Sequence, residues 1–359
     1  MTTAITIGMI IIYVAIMMGI GVYTARQTRS VSDFVLGSHS VGSWLTAFAY
    51  GTSYFSAVVF IGYAGQFGWT YGVSAAWVGI GNALLGSLLA WIVLGRRTRI
   101  MTQSLGAKTM PEYFEKRWNS KGLKIAAALI VFVFLIPYTA SVYNGLSRLF
   151  NMAFQIESEG AYKIIIIVMA LLTAIYVILG GYAATAINDF IQGIVMLIGI
   201  AAVVICAIQN QGGLTSALAA LGEIEVNGKT NTLNSVFGPD PLNLLGVVIL
   251  TSLGTWGLPQ MIHKFYAIKS ENDIKKGAVI STVFALIVAG GSYLLGGFDR
   301  LFCTLTEDGS GKTVISTLSN GKPDFDAMIP SLLHTALPDI LIGLVVVLVL
   351  SASMSTLSS

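Results

Sequence analysis

The stretch VGSWLTAFAYGTSYFSAVVFIGYAGQFGW, residues 41–69, has apolar ends and an interrupted middle. Its central residues, Tyr50 to Ser56, include a glycine and a dense group of hydroxyls, which are unusual in a simple membrane helix. Backbone groups freed at membrane depth need partners, so a broken helix survives only where it lines a buried or water-filled site. The stretch therefore predicts a discontinuous membrane helix beside such a site.

The composition of the whole chain indicates a membrane protein. Hydrophobic residues make up 55% of the 359 residues and charged residues 10%, and the mean hydropathy is +0.79. A soluble domain has about a quarter charged residues, so we expect an all-α integral membrane protein surrounded by lipid. The small net charge of +3 implies no nucleic-acid partner.

Apolar runs long enough to cross a hydrocarbon layer of ~30 Å occur along the entire chain. Numbered here as spans 1 to 9, they cover residues 5–25, 42–69, 73–95, 122–153, 162–180, 186–208, 243–268, 275–302 and 339–359. Span 1 has no basic segment before it and no cleavage site after it, so we interpret it as a retained helix. In span 3 the glycines of GIGNALLG (79–86) predict tight helix packing.

The loops between the spans differ in charge. With the N-terminus outside, 14 of the 20 basic residues, Lys264 among them, fall in cytoplasmic loops, and 11 of the 17 acids fall outside. This asymmetry predicts a multi-pass plasma-membrane protein of the bacterial inner-membrane type. The inner segment 96–118 is interpreted as a solvated loop, with a short interfacial helix starting at Pro111 as the alternative. The outer segments 209–242 and 303–338 are expected to be surface connections.

Span 7 has the same kind of interruption as span 2. Its stretch LLGVVILTSLGTWGLPQMIHKFYAIK (244–269) carries Gly254, Gly257 and Pro259 between apolar halves. Two interrupted helices at corresponding positions of two repeats point to the central site of a transporter. Because the two spans are five apart, an odd number, the second repeat is expected to be inverted. The predicted organisation is an extra helix and inner loop (1–40), a first repeat (41–208), an outer loop (209–242) and an incomplete second repeat (243–359).

Span 9 is the repeat-mate of span 4 and ends in SASMSTLSS (351–359). Ser355 and Thr356 place two hydroxyls on one helical turn, while the unwound middle of span 2 offers carbonyls. Such hard oxygen ligands suit a sodium ion. Membrane serines also bond to the carbonyl one turn back or allow helices to pack, but the cluster opposite a broken helix favours an ion site. Asp189 in span 6 is a further candidate, with a helix-terminus acid as the alternative.

The chain resembles the sodium:solute symporter family. The matching stretches include GTSYFSAVVFIG (51–62), AIYVILGGYAATAINDFIQG (174–193), GLPQMIHKFYAIKS (257–270) and SASMSTLSS. The glycine pair ahead of Asp-x-x-Gln is the most specific of them. The resemblance implies a leucine-transporter-like fold, in which two inverted five-helix repeats follow one extra helix.

The resemblance also implies the positions of the ions. The main sodium site would use the carbonyls of Thr52, Phe55 and Ala352 with the side chains of Ser355 and Thr356. A possible second sodium would bind to Asp189, Ser355, Ser358 and Ser359. Sodium, as one ion or two, is thus the expected cofactor.

The solute is expected to bind next to the main ion site. The positions implied for it are Ser56, Tyr138, Thr251, Thr255, Trp256, Pro259 and Gln260, and for Trp256 and Gln260 helix packing is an equal alternative. Tyr54 stands where proline transporters typically carry aspartate, which favours another small amino acid or a carboxylate.

The predicted function is sodium-coupled symport of a small organic solute by alternating access. The alternatives are a solute sensor built on a transporter fold and a symporter that uses another cation. An enzyme is not expected, because His39, His263 and His334 fall in loops or at helix ends and form no catalytic set with the acids.

Overall fold

The computed structural model describes residues 2–26, 30–37, 41–154, 159–307, 309 and 311–359. His39 and the predicted domain boundary at residue 40 lie outside the described residues.

The helices in chain order are α1 (Thr2–Ala25), α2 (Val31–Leu36), α3 (Ser43–Tyr54), α4 (Ala64–Tyr71), α5 (Ala76–Gly81), α6 (Arg96–Leu105), α7 (Met110–Trp118), α8 (Lys121–Phe154), α9 (Glu159–Asn210), α10 (Leu214–Glu223), α11 (Pro241–Leu253), α12 (Pro259–Ala267), α13 (Glu271–Gly296), α14 (Asp299–Phe302), α15 (Met328–Ala336) and α16 (Asp339–Ser358). Two short parallel strands are β1 (Cys303–Thr304) and β2 (Thr313–Val314).

Span 2 is discontinuous, as predicted. Helix α3 ends where Phe55 takes an extended conformation (φ −93°, ψ 110°). The chain then resumes as a π-helical segment, Val58–Tyr63, followed by α4. Single turns of π-helix are rare and occur often at functional sites. The break directly follows a buried stretch, because every residue from Thr46 to Tyr54 is buried.

Span 7 is also broken, and this prediction is confirmed as well. Helix α11 ends at Leu253, a 3-10 turn covers Gly254–Gly257, and α12 starts at Pro259. The two helices meet at an angle of 54°. Proline at the first position of α12 has no N–H to lose there, and its ring prevents an unbroken helix through the turn.

Spans 5 and 6 follow each other within α9 and are separated at a single residue. Gly181 has φ 59° and ψ −152°, a conformation that is essentially restricted to glycine. A Cβ at this position would lie 2.8 Å from the carbonyl oxygen of Phe34, so the backbone of α2 also requires a glycine. The second glycine of the Gly-Gly motif therefore turns the chain between the two spans.

Helix α16 is the central element of the bundle. In its most apolar window 72% of the residues are buried, compared with 6% for α8. It packs against α1, α3, α8 and α9. Span 9, with its nine-residue hydroxyl-rich end, is thus surrounded by protein rather than by lipid.

Closely approaching glycines bring α13 against spans 2 and 3. A Cβ on Gly79 would lie 2.5 Å from the Cα of Gly290, and a Cβ on Gly68 would overlap the backbone of Gly296. The glycine-rich segment of span 3 therefore packs a helix tightly, as predicted.

The inner segment 96–118 is helical, and the interpretation as a solvated loop is wrong. Span 3 continues as α6 to Leu105, and α7 follows with the Thr109 side chain accepting a bond from the N–H of Glu112. Basic residues keep α6 in contact with the protein: Arg96 pairs with Glu271 at 2.7 Å.

The inner ends of four segments are joined by a set of contacts, which we call the inner latch. Arg99 of α6 donates to the carbonyl of Lys269 at 2.6 Å, and the N–H of Lys269 donates to the carbonyl of Val41 at 3.1 Å. With the Arg96–Glu271 pair, these bonds connect the residues that precede α3 to α6, to the end of α12 and to the start of α13.

The outer segments are more than surface connections, which corrects a second expectation. The segment 209–242 contains α10, and 303–338 contains α15, whose Met328, Ile329 and Leu332 are fully buried. The many polar residues in these segments led to the prediction of loops, but each segment contains a short helix whose apolar side packs on the bundle.

Six helices among the described residues are long and apolar enough to cross a bilayer, or seven if the bent pair α11 and α12 counts as one span. Spans 2 and 3 meet in one helical run, Val58–Leu105, and spans 5 and 6 meet in Ile166–Asn210. The molecule is therefore a mostly helical multi-pass membrane protein.

Candidate functional site

The break in span 2 leaves backbone carbonyls without partners. In the described part of the chain no N–H donates to the carbonyls of Thr52 or Phe55. The carbonyl of Ser56, by contrast, accepts from Val59 and Phe60 at 3.1 Å each. Thr52 and Phe55 are buried, with 0% and 1% of their surface exposed. Two acceptors thus remain free at a depth where water is scarce, which suits them to an ion.

Helix α16 carries hydroxyls of two kinds. Ser351, Ser353 and Ser355 are fully buried and their oxygens make no hydrogen bond to any described residue. Thr356 instead donates to the carbonyl of Ala352 at 2.9 Å, and Ser358 donates to the carbonyl of Ser355 at 2.9 Å. The back-bonding alternative therefore holds for Thr356 and Ser358, whereas Ser355 keeps a free oxygen.

A direct bond joins the broken helix to α16. The hydroxyl oxygens of Ser53 and Ser359 are 2.7 Å apart. Ser53 already donates to the carbonyl of Ala49 at 2.6 Å, so the proton in the Ser53–Ser359 bond comes from Ser359. The structure thereby brings the residues of the main candidate ion site into two helices that are in contact.

Asp189 lies in the same region, on the part of α9 that follows Gly181. It is fully buried, and Ser355 lies beside it. Neither the carboxylate oxygens nor the Ser355 hydroxyl makes a hydrogen bond with good geometry to a described residue. A buried acid of this kind needs a counter-charge.

Lys264 supplies that charge, although we had expected it in a cytoplasmic loop. Only 2% of its surface is exposed, and its Nζ lies 3.5 Å from Oδ2 of Asp189. The same Nζ donates to the Ser359 hydroxyl at 3.0 Å and lies 5.3 Å from the ring centroid of Tyr182. Lys264 falls within the predicted limits of span 7, and a lysine inside an apolar span is the signal that could have identified it.

Two of the candidate solute residues contact span 3, and a third bonds within span 7. The hydroxyl of Thr251 donates to Oδ1 of Asn82 at 3.1 Å, and the indole N–H of Trp256 donates to the carbonyl of Leu85 at 3.0 Å. The hydroxyl of Thr255 donates to the carbonyl of Ser252 at 2.8 Å. These side chains have partners within the protein, so a solute would have to share or replace those bonds.

The other four candidates for the solute lie on α8, on α12 and at the break in span 2. Gln260 is 6% exposed, and both polar atoms of its amide lack partners among the described residues. Tyr138 of α8 lies next to it. Ser56 is buried at the break in span 2, and Pro259 is the first residue of α12.

A cavity of about 190 Å³ reaches this region. Gln260, Lys264 and Ser359 line one part of it, and Phe34 and Val35 of α2 line another. The cavity therefore extends from the candidate ion region to α2.

The segment that leads into α15 forms a cover over the π-helical part of span 2. Asp326 accepts from the amide of Asn144 at 3.2 Å, and Arg148 pairs with Asp324 at 2.9 Å, so both bonds join this segment to α8. Burial raises the pKa of Asp326 above the ordinary carboxyl value, and the positive charge of Arg148 opposes this shift. The two bonds hold the cover over the π-helical part of span 2, next to Gly62.

Two discontinuous helices that meet a buried, hydroxyl-rich third helix define a membrane transporter. The chain belongs to the sodium:solute symporter family, whose sequence pattern matches residues 34–359. Members of this family are transporters rather than enzymes, and sodium is their coupling ion. The resemblance found in the sequence is therefore confirmed.

Similar proteins agree with this assignment. A sodium/proline symporter of Staphylococcus aureus (strain JH9) is 35% identical over 274 residues, which are 75% of this chain and 51% of the relative. The chain thus spans about half the length of that relative.

Two solved structures share the fold. A Na⁺-coupled sialic acid symporter in a substrate-bound, outward-open state matches with a TM-score of 0.74 at 17% identity, over 99% of this chain and 70% of that one. A nucleobase-cation-symport-1 family transporter in a closed conformation matches with a TM-score of 0.52 at 14% identity, over 92% and 66%. The fold is that of the leucine-transporter-like transporters.

Proposed function

We propose that this protein is a secondary active transporter that moves a small organic solute, an amino acid or a carboxylate, together with sodium. One observation carries the proposal: the unpaired carbonyls of Thr52 and Phe55 lie on a broken helix that contacts α16, where the Ser355 hydroxyl is also unpaired. Buried oxygens of this kind need a cation or water to satisfy them.

The main sodium site consists of these oxygens. The carbonyls of Thr52, Phe55 and Ala352 and the hydroxyls of Ser355 and Thr356 are its ligands, all from buried residues. Thr356 already bonds to the carbonyl of Ala352, which holds its oxygen in one orientation. Sodium is a hard cation, and this all-oxygen set suits it better than it suits a transition metal.

The domain organisation follows from the two breaks. Residues 41–208 form the first five-helix repeat and residues 243–359 form part of an inverted second repeat, with residues 1–40 before the first and 209–242 between them. The breaks after Tyr54 and after Leu253 then occupy corresponding positions. The protein lies in the plasma membrane with its N-terminus outside.

The solute binds beside the sodium ion. Gln260 offers an unpaired amide, Tyr138 lies next to it, and Ser56 is at the break. Thr251, Thr255 and Trp256 complete the pocket by exchanging their present partners for the solute, and Pro259 fixes the start of α12. A sodium/proline symporter is among the similar proteins, which supports an amino acid or a carboxylate as the solute class.

Transport proceeds by alternating access. Sodium between span 2 and α16 joins the two repeats and shapes the solute pocket, so each ligand raises the affinity for the other. One charge crossing about 100 mV supplies about 2.3 kcal/mol, and a tenfold sodium gradient adds about 1.4 kcal/mol. One sodium ion can therefore sustain roughly 500-fold accumulation of a neutral solute.

Uptake by proteoliposomes that contain the full-length protein tests the proposal. A panel of labelled amino acids, carboxylates and sugars is offered with an inward sodium gradient or with an equal potassium gradient. We expect one class of solute to accumulate only with sodium. Equal uptake with both gradients would contradict sodium coupling and favour another cation, and a solute that binds without uptake would favour a sensor.

A further inference from the structure

Three of the four residues expected to bind a second sodium ion already have partners. Ser359 accepts a bond from the Lys264 ammonium, and Ser358 donates its proton to the carbonyl of Ser355. Asp189 is paired with the same ammonium at 3.5 Å. Only the Ser355 hydroxyl of the four is free of such contacts among the described residues, and it also belongs to the main site.

The charges are balanced without a second ion. Asp189 and Lys264 are both buried, and they form the ion pair that the structure describes between α9 and α12. A sodium ion added at Asp189 would place two cations around one carboxylate that is fully buried. Repulsion between like charges is strong in such surroundings, because little solvent screens it.

The Lys264 ammonium also has partners other than Asp189. The hydrogen bonds run from Lys264 to Ser359, from Ser359 to Ser53 and from Ser53 to the carbonyl of Ala49. The face of Tyr182 lies 5.3 Å from Nζ, which adds a cation–π contact. The lysine thus contacts α9 and the end of α16, which a second ion would have bridged, and it reaches α3 through Ser359.

We propose that the Lys264 ammonium replaces the second sodium ion, so that this transporter binds and carries one sodium ion for each solute molecule. The inference rests on the proposed function, because it concerns the stoichiometry of the same transport cycle. It makes Lys264 a residue that determines ion stoichiometry, acting through Asp189 and Ser359.

Equilibrium binding of ²²Na⁺ to the purified full-length protein in lipid nanodiscs tests the proposal. We expect wild-type protein to bind one sodium ion with a Hill coefficient of about 1. Lys264→Gln frees Asp189 and Ser359, so this variant should bind two ions and show a Hill coefficient above about 1. Lys276→Gln, which removes an exposed lysine near the start of α13, is the matched control and should still bind one.

A second measurement separates this role from a purely structural one. Lys264→Gln should unfold at a lower temperature than wild type in potassium buffer, because Asp189 is then buried without a counter-charge. Sodium should restore the unfolding temperature of that variant more than it raises that of wild type, since an extra ion binds only to the folded variant. A structural role alone predicts the same sodium effect in both proteins.

The outcomes are distinguishable. Two sodium ions in wild-type protein would overturn the inference while leaving sodium symport intact. A single ion in a Lys264→Gln variant that still binds sodium at the main site would overturn it too. If the variant does not fold, the wild-type count decides alone. Absence of sodium binding to wild-type protein would contradict the proposed function together with this inference.

Discussion

The hydroxyl of Ser53, on the first half of the broken span 2, lies 2.7 Å from the hydroxyl of Ser359, at the end of α16. This bond connects the element that provides free carbonyls to the element that provides free hydroxyls. The proposed main sodium site lies next to this bond, and the ammonium of Lys264 reaches the same bond from α12. Ion binding, helix contact and the buried ion pair are therefore physically linked.

The combined substitution of Ser355→Ala and Thr356→Ala tests the main sodium site. Even the groups that only support a metal ligand are worth about 10- to 100-fold in affinity, so the loss of two ligands should abolish sodium-driven uptake. The measurement is solute uptake against sodium concentration. Ser331→Ala in α15, whose hydroxyl bonds only to the carbonyl of Ala327 among the described residues, is the control. Unchanged sodium affinity in the double variant would exclude these ligands.

Asp189→Asn tests the buried ion pair from its acidic side. It leaves the Lys264 ammonium buried without a counter-charge, and breaking a buried pair costs about 3–5 kcal/mol. We expect a marked fall in unfolding temperature, measured by the fluorescence of the purified protein. Adding Lys264→Met to this variant should recover much of the loss, because no charge is then left unpaired. Additive losses in the double variant would show that the two groups do not interact.

Gly181→Ala tests the turn between spans 5 and 6. The positive φ of Gly181 is a conformation that costs other residues about 1–3 kcal/mol, and the new Cβ would contact the Phe34 carbonyl. The variant should be less stable than wild type by at least that amount. Gly19→Ala in α1, where no atom lies within 4 Å of the added carbon, should be nearly neutral. Equal stability of the two variants would contradict a special backbone at Gly181.

Gln260→Ala tests the solute pocket. The amide is buried and unpaired, and a lost hydrogen bond to a buried polar group costs about 1–3 kcal/mol. The KM for the solute should therefore rise roughly 5- to 150-fold, with the sodium dependence retained. Gln209→Ala, at an exposed position near the end of α9, provides the matched control. A KM equal to that of wild type would assign Gln260 to helix packing.

The breaks in the helices could be predicted from the residue types at the breaks themselves. The interruptions in spans 2 and 7 contain glycine, proline and hydroxyl residues, and the helices break at Phe55 and at Gly254–Gly257. The Gly-Gly motif likewise coincides with the turn at Gly181. In each case the residue type itself disfavours a continuous helix, so no knowledge of the tertiary structure was needed.

Features that depend on tertiary contacts were missed. We predicted that Lys264 lies in a cytoplasmic loop, but it pairs with Asp189, which is 75 positions away in the sequence. The residues next to Lys264 in the sequence do not indicate this contact. The same holds for α6, where Arg99 bonds to the distant Lys269 carbonyl, and for α15, whose apolar side is short and flanked by polar residues.

The inner latch has a mechanical consequence. Through Arg99 and Lys269 it fastens α6, the end of α12 and the chain before α3 into one assembly. Helix α16 is joined to the same assembly, because Ser359 accepts from Lys264 of α12 and bonds to Ser53 of α3. Separating α16 from α3 and α12 would break these two bonds, whereas the bonds of the inner latch involve no residue of α16.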